Sequence, residues 1–112
     1  MQQEKKFKLS KDEILKDQKD FNRIFKFGTI ISGKHVDLIY LSSDDFKIGF
    51  IVRRKIKRAV DRNKCRRILK EVYRLNKEKF PRNLKILLSA KVKFSNYWAI
   101  EKEINILLSK IF

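Results

Sequence analysis

Arg53 to Lys79 reads RRKIKRAVDRNKCRRILKEVYRLNKEK, and the rest of the chain is arranged around this stretch. It holds 13 lysines and arginines against three acids, so +10 of the chain's net +16 lies on 27 residues. From Ala59 onward, Cys65, Ile68, Leu69, Val72 and Leu75 recur at the three-and-four spacing of one helix face. Arg58, Arg62, Arg66, Lys70 and Arg74 follow one another every four residues, which predicts a rail of cations on the other face. Like charges at i,i+4 repel by roughly a few tenths of a kcal/mol per pair. Cations near a helix N-terminus also oppose the macrodipole. A polyphosphate backbone relieves both, binding the cations and the free N–H groups of the first turn. A mixed Lys/Glu face would read as solvated surface. Here only Asp61, Glu71 and Glu78 interrupt the positive charge, and the imbalance points to an RNA or DNA contact surface.

The chain has 112 residues, enough for one domain with a single modest core. Its 43% hydrophobic and 12% aromatic content supports a folded domain despite 38% charge. Residues 1–11 are polar and basic with Phe7 and Leu9 as isolated anchors, and read as a loosely held arm. No segment approaches the roughly 20 apolar residues of a membrane span, and the N-terminus lacks the apolar middle of a secretion signal. The expected compartment is cytoplasmic. Cys65 is the single cysteine, so neither an internal disulfide nor a cysteine-based zinc cluster can form; its place on the apolar stripe predicts a buried thiol.

Asp17 is placed to cap a helix running to Phe27, with Phe21, Ile24 and Phe25 on one face and Gly28 as the stop. Thr29 to Ile31 forms a short candidate strand. Gly33 opens a second, in which Val36, Leu38 and Tyr40 alternate with His35, Asp37, Ile39 and Leu41. Ser42 to Asp45 make a turn. The next strand sets Phe46, Ile48, Phe50 and Val52 against Lys47, Gly49, Ile51 and Arg53. These two longer runs predict a hairpin with one apolar face and one mixed face. Beyond the basic helix, Pro81 breaks the chain, and Leu84 to Val92 reads as a strand burying Ile86, Leu88 and Ala90. Ser95 or Asn96 can cap a last helix carrying Trp98, Ile104, Leu107, Leu108 and Ile111. The fold class is α+β, a sheet with helices packed on it.

Protein-borne phosphodiester cleavage commonly uses carboxylates holding magnesium or a pair of histidines. His35 is the lone histidine and reads as a strand residue with an ordinary hydrogen bond. Asp44 and Asp45 are accounted for by turn chemistry. The glycines at 28, 33 and 49 form no phosphate loop. No catalytic residue and no metal ligand is assigned to the protein.

The block Lys47 to Val52 (KIGFIV), the pair Arg54 and Lys55, and the run Ala59 to Lys70 (AVDRNKCRRILK) together resemble the signature of the bacterial ribonuclease P protein component. That family's hallmark is an Arg-Asn-Arg motif opening a basic helix, preceded by Ala-Val and followed by paired basic residues. Asp20-Phe21, Phe25-Lys26 and Gly28-Thr29 resemble its first helix, and the resemblance covers residues 15–91. It implies an α-β sandwich of order α-β-β-β-α-β-α with a left-handed βαβ crossover, against the general right-handed rule. It also implies an RNA-binding accessory subunit of ribonuclease P, whose RNA subunit, with Mg2+, removes the 5′ leader of precursor tRNA. The partners implied are that RNA and precursor tRNA, with no membrane and no obligate protein partner. In this picture Arg54, Lys55, Arg58, Arg62, Asn63, Lys64, Arg66, Arg67 and Lys70 contact the catalytic RNA. Phe21, Phe25, Ile39, Lys47, Ile51 and Arg53 line a cleft for the single-stranded leader, where aromatic stacking is worth roughly 1–3 kcal/mol per base. Three departures stand out: Lys64 replaces the motif's second arginine, Lys57 stands where the family usually has glycine, and Ile39 replaces a frequent aromatic.

Overall fold

A computed structural model describes residues 11–111. The elements, in order, are α1 (Gln18–Phe27), β1 (Thr29–Ser32), β2 (Val36–Ser42), β3 (Lys47–Val52), α2 (Ala59–Leu75), β4 (Leu84–Ala90) and α3 (Tyr97–Ser109). The order α-β-β-β-α-β-α follows the expected one. The expected N-terminal arm lies outside the described residues, apart from Lys11.

The strands form one mixed sheet in the order β1-β2-β4-β3, with β4 antiparallel to β2 and parallel to β3. The predicted hairpin between the runs at Val36 and Phe46 is therefore corrected. The hairpin is formed by β1 and β2, and α2 is the crossover that carries the chain from β3 to its parallel neighbour β4. Alternation of side chains assigns faces, not neighbours. β4 takes the centre because its run Ile86, Leu87, Leu88 is apolar without alternation and needs cover on both faces.

On one face α2 and α3 build the main core, bringing Leu69, Val72, Ile100 and Ile104 against Leu38, Ile86 and Leu88. Tyr73 is fully buried, edge-on to Phe80 at 5.1 Å and stacked on Phe46 at 5.8 Å; burial pushes its phenol pKa up to about 12. Leu75, expected on the buried stripe, is instead 39% exposed where the helix ends at Asn76. Cys65 is buried as expected. Trp98, carried on α3, is 72% exposed. Its helix is capped by Asn96, whose side chain accepts from the Ala99 amide at 3.1 Å, and Trp98 falls on the side away from Ile100 and Ile104.

The other sheet face is only partly covered. Asp17 caps α1 through the Lys19 amide, and Ile24 docks on Ile39 and Leu87 together with Leu15. The chain before α1 runs beside β3, where the Leu15 amide donates to the Ile48 carbonyl at 2.8 Å. Gly28 ends α1 in an extended conformation, φ −74° and ψ 162°. Glycine is needed there for space, because a Cβ would collide with the Ile24 carbonyl oxygen and lie 3.0 Å from Ile39 Cγ2.

Candidate nucleic-acid interface

α2 starts at Ala59 with Arg58 as its N-cap, and the Arg58 side chain makes no capping bond. Four residues advance a helix by about 400°, so a row of every fourth residue drifts around the axis. The predicted rail is accordingly not presented whole: Lys64, Arg67 and Lys70 are exposed, while Arg62 and Arg66 are half-buried at the flank. Arg62 folds back over the preceding loop, its Nη1 donating to the carbonyls of Ile56 at 3.0 Å and Lys57 at 2.5 Å. Arg66 reaches toward Asn63 Oδ1 at 3.4 Å. Among the described residues, none of Arg58, Arg62, Lys64, Arg66, Arg67 and Lys70 pairs with a carboxylate; on this helix only Arg74 does, with Glu71.

The loop leading into the helix keeps Arg54 and Lys55 exposed. Lys57 is accommodated without strain, since no described residue has a positive φ. Beside the first turn lies a groove of about 390 Å³ lined by Lys55, Lys57, Arg58, Asp61, Lys91 and Lys93. Four lysines and Arg58 contribute to its lining beside Ile56, Val92 and the single acid Asp61, an electrostatic setting for a phosphate chain.

The second surface is the part of the sheet that α1 leaves open. Strand register lays three rows across this face. Leu41, Lys85 and Lys47 form the first; Ile30, Ile39, Leu87 and Gly49 the second; Ser32, Asp37, Ser89 and Ile51 the third. α1 and Leu15 sit over the first two. Phe21 packs half-buried above Gly49, whose missing side chain makes room: a Cβ there would be 3.1 Å from Phe21 Cε1. Phe25, one turn on, is 51% exposed.

The expected cleft changes accordingly. Ile39 is 2% exposed beneath α1, so it supports the wall from behind and cannot meet a ligand. The Lys47 ammonium is tied to the Asp12 carbonyl, drawing it toward the N-terminal segment. Ile51 stays half-buried on the open row, and Arg53 lies at its end. Reading the strands one by one overlooked Asp37 and Lys91. Asp37 Oδ2 accepts from Arg53 Nη2 at 2.9 Å and its Oδ1 from Lys91 Nζ at 2.8 Å. An aspartate in the middle of a buried strand was the available signal, because a charge there requires partners.

The ribonuclease P family model matches residues 9–111. The chain belongs to the ribonuclease P protein family. It is 38% identical over 81 residues to the ribonuclease P protein component of Pelotomaculum thermopropionicum, covering 70% of this chain and 72% of the relative. It is 33% identical over 110 residues to that of Syntrophus aciditrophicus, covering 95% and 92%. Among solved structures, the ribonuclease P protein of Thermotoga maritima superposes with a TM-score of 0.78 at 28% identity, covering 89% of this chain and 98% of that one. The match extends to the element order and the mixed four-stranded sheet described above. No described helix is long and apolar enough to cross a membrane.

Proposed function

We propose that this protein is the RNA-binding accessory subunit of ribonuclease P. In this reading α2 and the groove at its first turn dock on the catalytic RNA. The open sheet row, with Phe21, Phe25, Ile51 and Arg53, receives the single-stranded 5′ leader of precursor tRNA, and the RNA makes the cut. The observation that carries the reading is the cationic content of α2 and its N-cap: among the described residues, none of Arg58, Arg62, Lys64, Arg66, Arg67 and Lys70 pairs with a carboxylate, on a helix whose other side is committed to the core. Such a face is at ease only against a polyanion.

Magnesium is assigned to the RNA. Among the described residues no three His, Cys, Asp or Glu side chains lie together as a metal-holding group. The protein's part is to add positive charge where RNA strands converge and to bind the leader as an extended strand. A subunit working on precursor tRNA belongs in the cytoplasm.

Reconstitution with the cognate RNA tests this reading. The protein should lower the magnesium requirement for leader removal and favour precursor over mature tRNA, while the protein alone cleaves neither. Changing Arg62, Arg66 and Arg67 to Ala should flatten the salt dependence of RNA binding, each lost phosphate contact removing roughly 0.7–0.9 from the log-log slope. Equal affinity for precursor and mature tRNA, or cleavage by RNA-free protein, would refute it.

A further inference from the structure

Asp37 is 4% exposed at the centre of the sheet face that α1 leaves open. Each of its oxygens holds one cation: Oδ2 takes Arg53 from the end of β3, and Oδ1 takes Lys91 from the end of β4. Burying a carboxylate is costly unless it is paired, and even a paired buried ion is rarely more stable than apolar side chains of the same volume. Stability therefore does not explain the cluster. What the carboxylate does is geometric. It draws two long, flexible side chains toward the sheet and holds their cationic ends on its two oxygens, next to its strand partner Ser89, which is also buried.

Two cations on one anion leave an excess of one positive charge. Arg53 makes a single hydrogen bond to Asp37 and keeps 47% of its side-chain surface open, so its guanidinium retains donors for a further acceptor. Lys91 also lines the groove at the first turn of α2, beside Lys57 and Arg58. The pair thus stands where the α2 groove meets the open row of the sheet. A strand passing from one surface to the other crosses it.

We propose that Arg53 and Lys91, held by Asp37, form a binding site for a phosphodiester of single-stranded RNA at this junction, with Asp37 as a positioning residue. The proposal rests on the leader-binding reading above, and adds to it a fixed phosphate site and the residue that sets it.

The test is Asp37→Asn in the reconstituted holoenzyme, titrated with precursor tRNA and with mature tRNA lacking the leader. The substitution removes a negative charge. If Asp37 merely dilutes the local potential, both RNAs bind more tightly. If it positions the two cations, precursor affinity falls roughly tenfold, the size of one charge-assisted hydrogen bond, and mature tRNA is unchanged. Arg53→Gln, at the exposed end, leaves Asp37 held by Lys91 and provides a second measurement should Asp37→Asn fail to fold. It is expected to weaken precursor binding alone and to lower its salt slope by roughly 0.7, one contact on a single strand. Tighter binding of both RNAs by Asp37→Asn, or an unchanged precursor-to-mature ratio in Arg53→Gln, would overturn the site. A wild-type holoenzyme that does not distinguish the two RNAs would instead overturn the leader reading itself.

Discussion

A methyl group added at Gly49 would lie 2.5 Å from Leu87 Cδ2, 3.1 Å from Phe21 Cε1 and 3.3 Å from Leu15 Cδ2. Gly49 therefore marks the place where the sheet yields room to the helix and segment that cover it. We expect Gly49→Ala to destabilise the protein by about 1–3 kcal/mol, the usual cost of overpacking, measurable by urea denaturation. Because Phe21 must move, the variant should also bind leader-bearing RNA less well than mature tRNA relative to wild type. Arg62 teaches a related lesson. Its place in the basic row was readable from spacing, but its bonds to the Ile56 and Lys57 carbonyls make it a brace for the loop entering α2. Arg62→Ala should thus cost about 1–2 kcal/mol in a thermal melt, whereas exposed Lys70→Ala should stay within about 0.5 kcal/mol.

At the scale of elements, α2 begins without a side-chain cap, although an aspartate at that position would supply one. Arg58→Asp should raise stability by about 1 kcal/mol through capping and the helix dipole, and at the same time weaken RNA binding by reversing a charge in the groove. Calorimetry and RNA titration on the same variant check the two opposite signs. Glu103 does for the β1–β2 turn what Asp17 does for α1. Its Oε2 accepts from the amides of His35 at 2.7 Å and Val36 at 2.8 Å, and its Oε1 from the His35 ring at 2.9 Å, tying α3 to the hairpin. Burial alone would raise this carboxyl's pKa, but these bonds outweigh it and hold the group below its ordinary value of 4.5. A depressed folded-state pKa stabilises the protein above the unfolded value, and that contribution is lost as pH falls through the folded one. The melting-temperature advantage of wild type over Glu103→Gln should therefore shrink as pH falls below about 4.5.

Across the whole molecule, the net charge of +16 opposes compaction. Screening weakens this repulsion over a Debye length that falls from about 30 Å at 0.01 M salt to about 10 Å at 0.1 M. The melting temperature should rise with added sodium chloride over that range, while affinity for RNA falls. The same charge excess thus makes the free protein less stable and its complex with a polyanion tighter, and a melt in which salt lowers stability would contradict that account. Sheet topology is also a property of this scale. Contacts between β2, β4 and β3 link distant parts of the chain, so neither sheet face exists until β4 is in place.

Helix and strand identities, the cap at Asp17, the core stripe through Cys65, Ile68, Leu69 and Val72, and the excess of cations on α2 all follow from local spacing and composition. A period of 3.6 or 2 and the chemistry of a capping side chain are properties of a few consecutive residues, and the sequence determined them unaided. Only the tertiary structure decided that β4 separates β2 from β3, that Ile39 lies under α1, that Trp98 faces solvent, and that Asp37 gathers Arg53 and Lys91. Each of those depends on which distant segment fills the neighbouring space. A residue's spacing states the face it occupies and leaves open what will cover it.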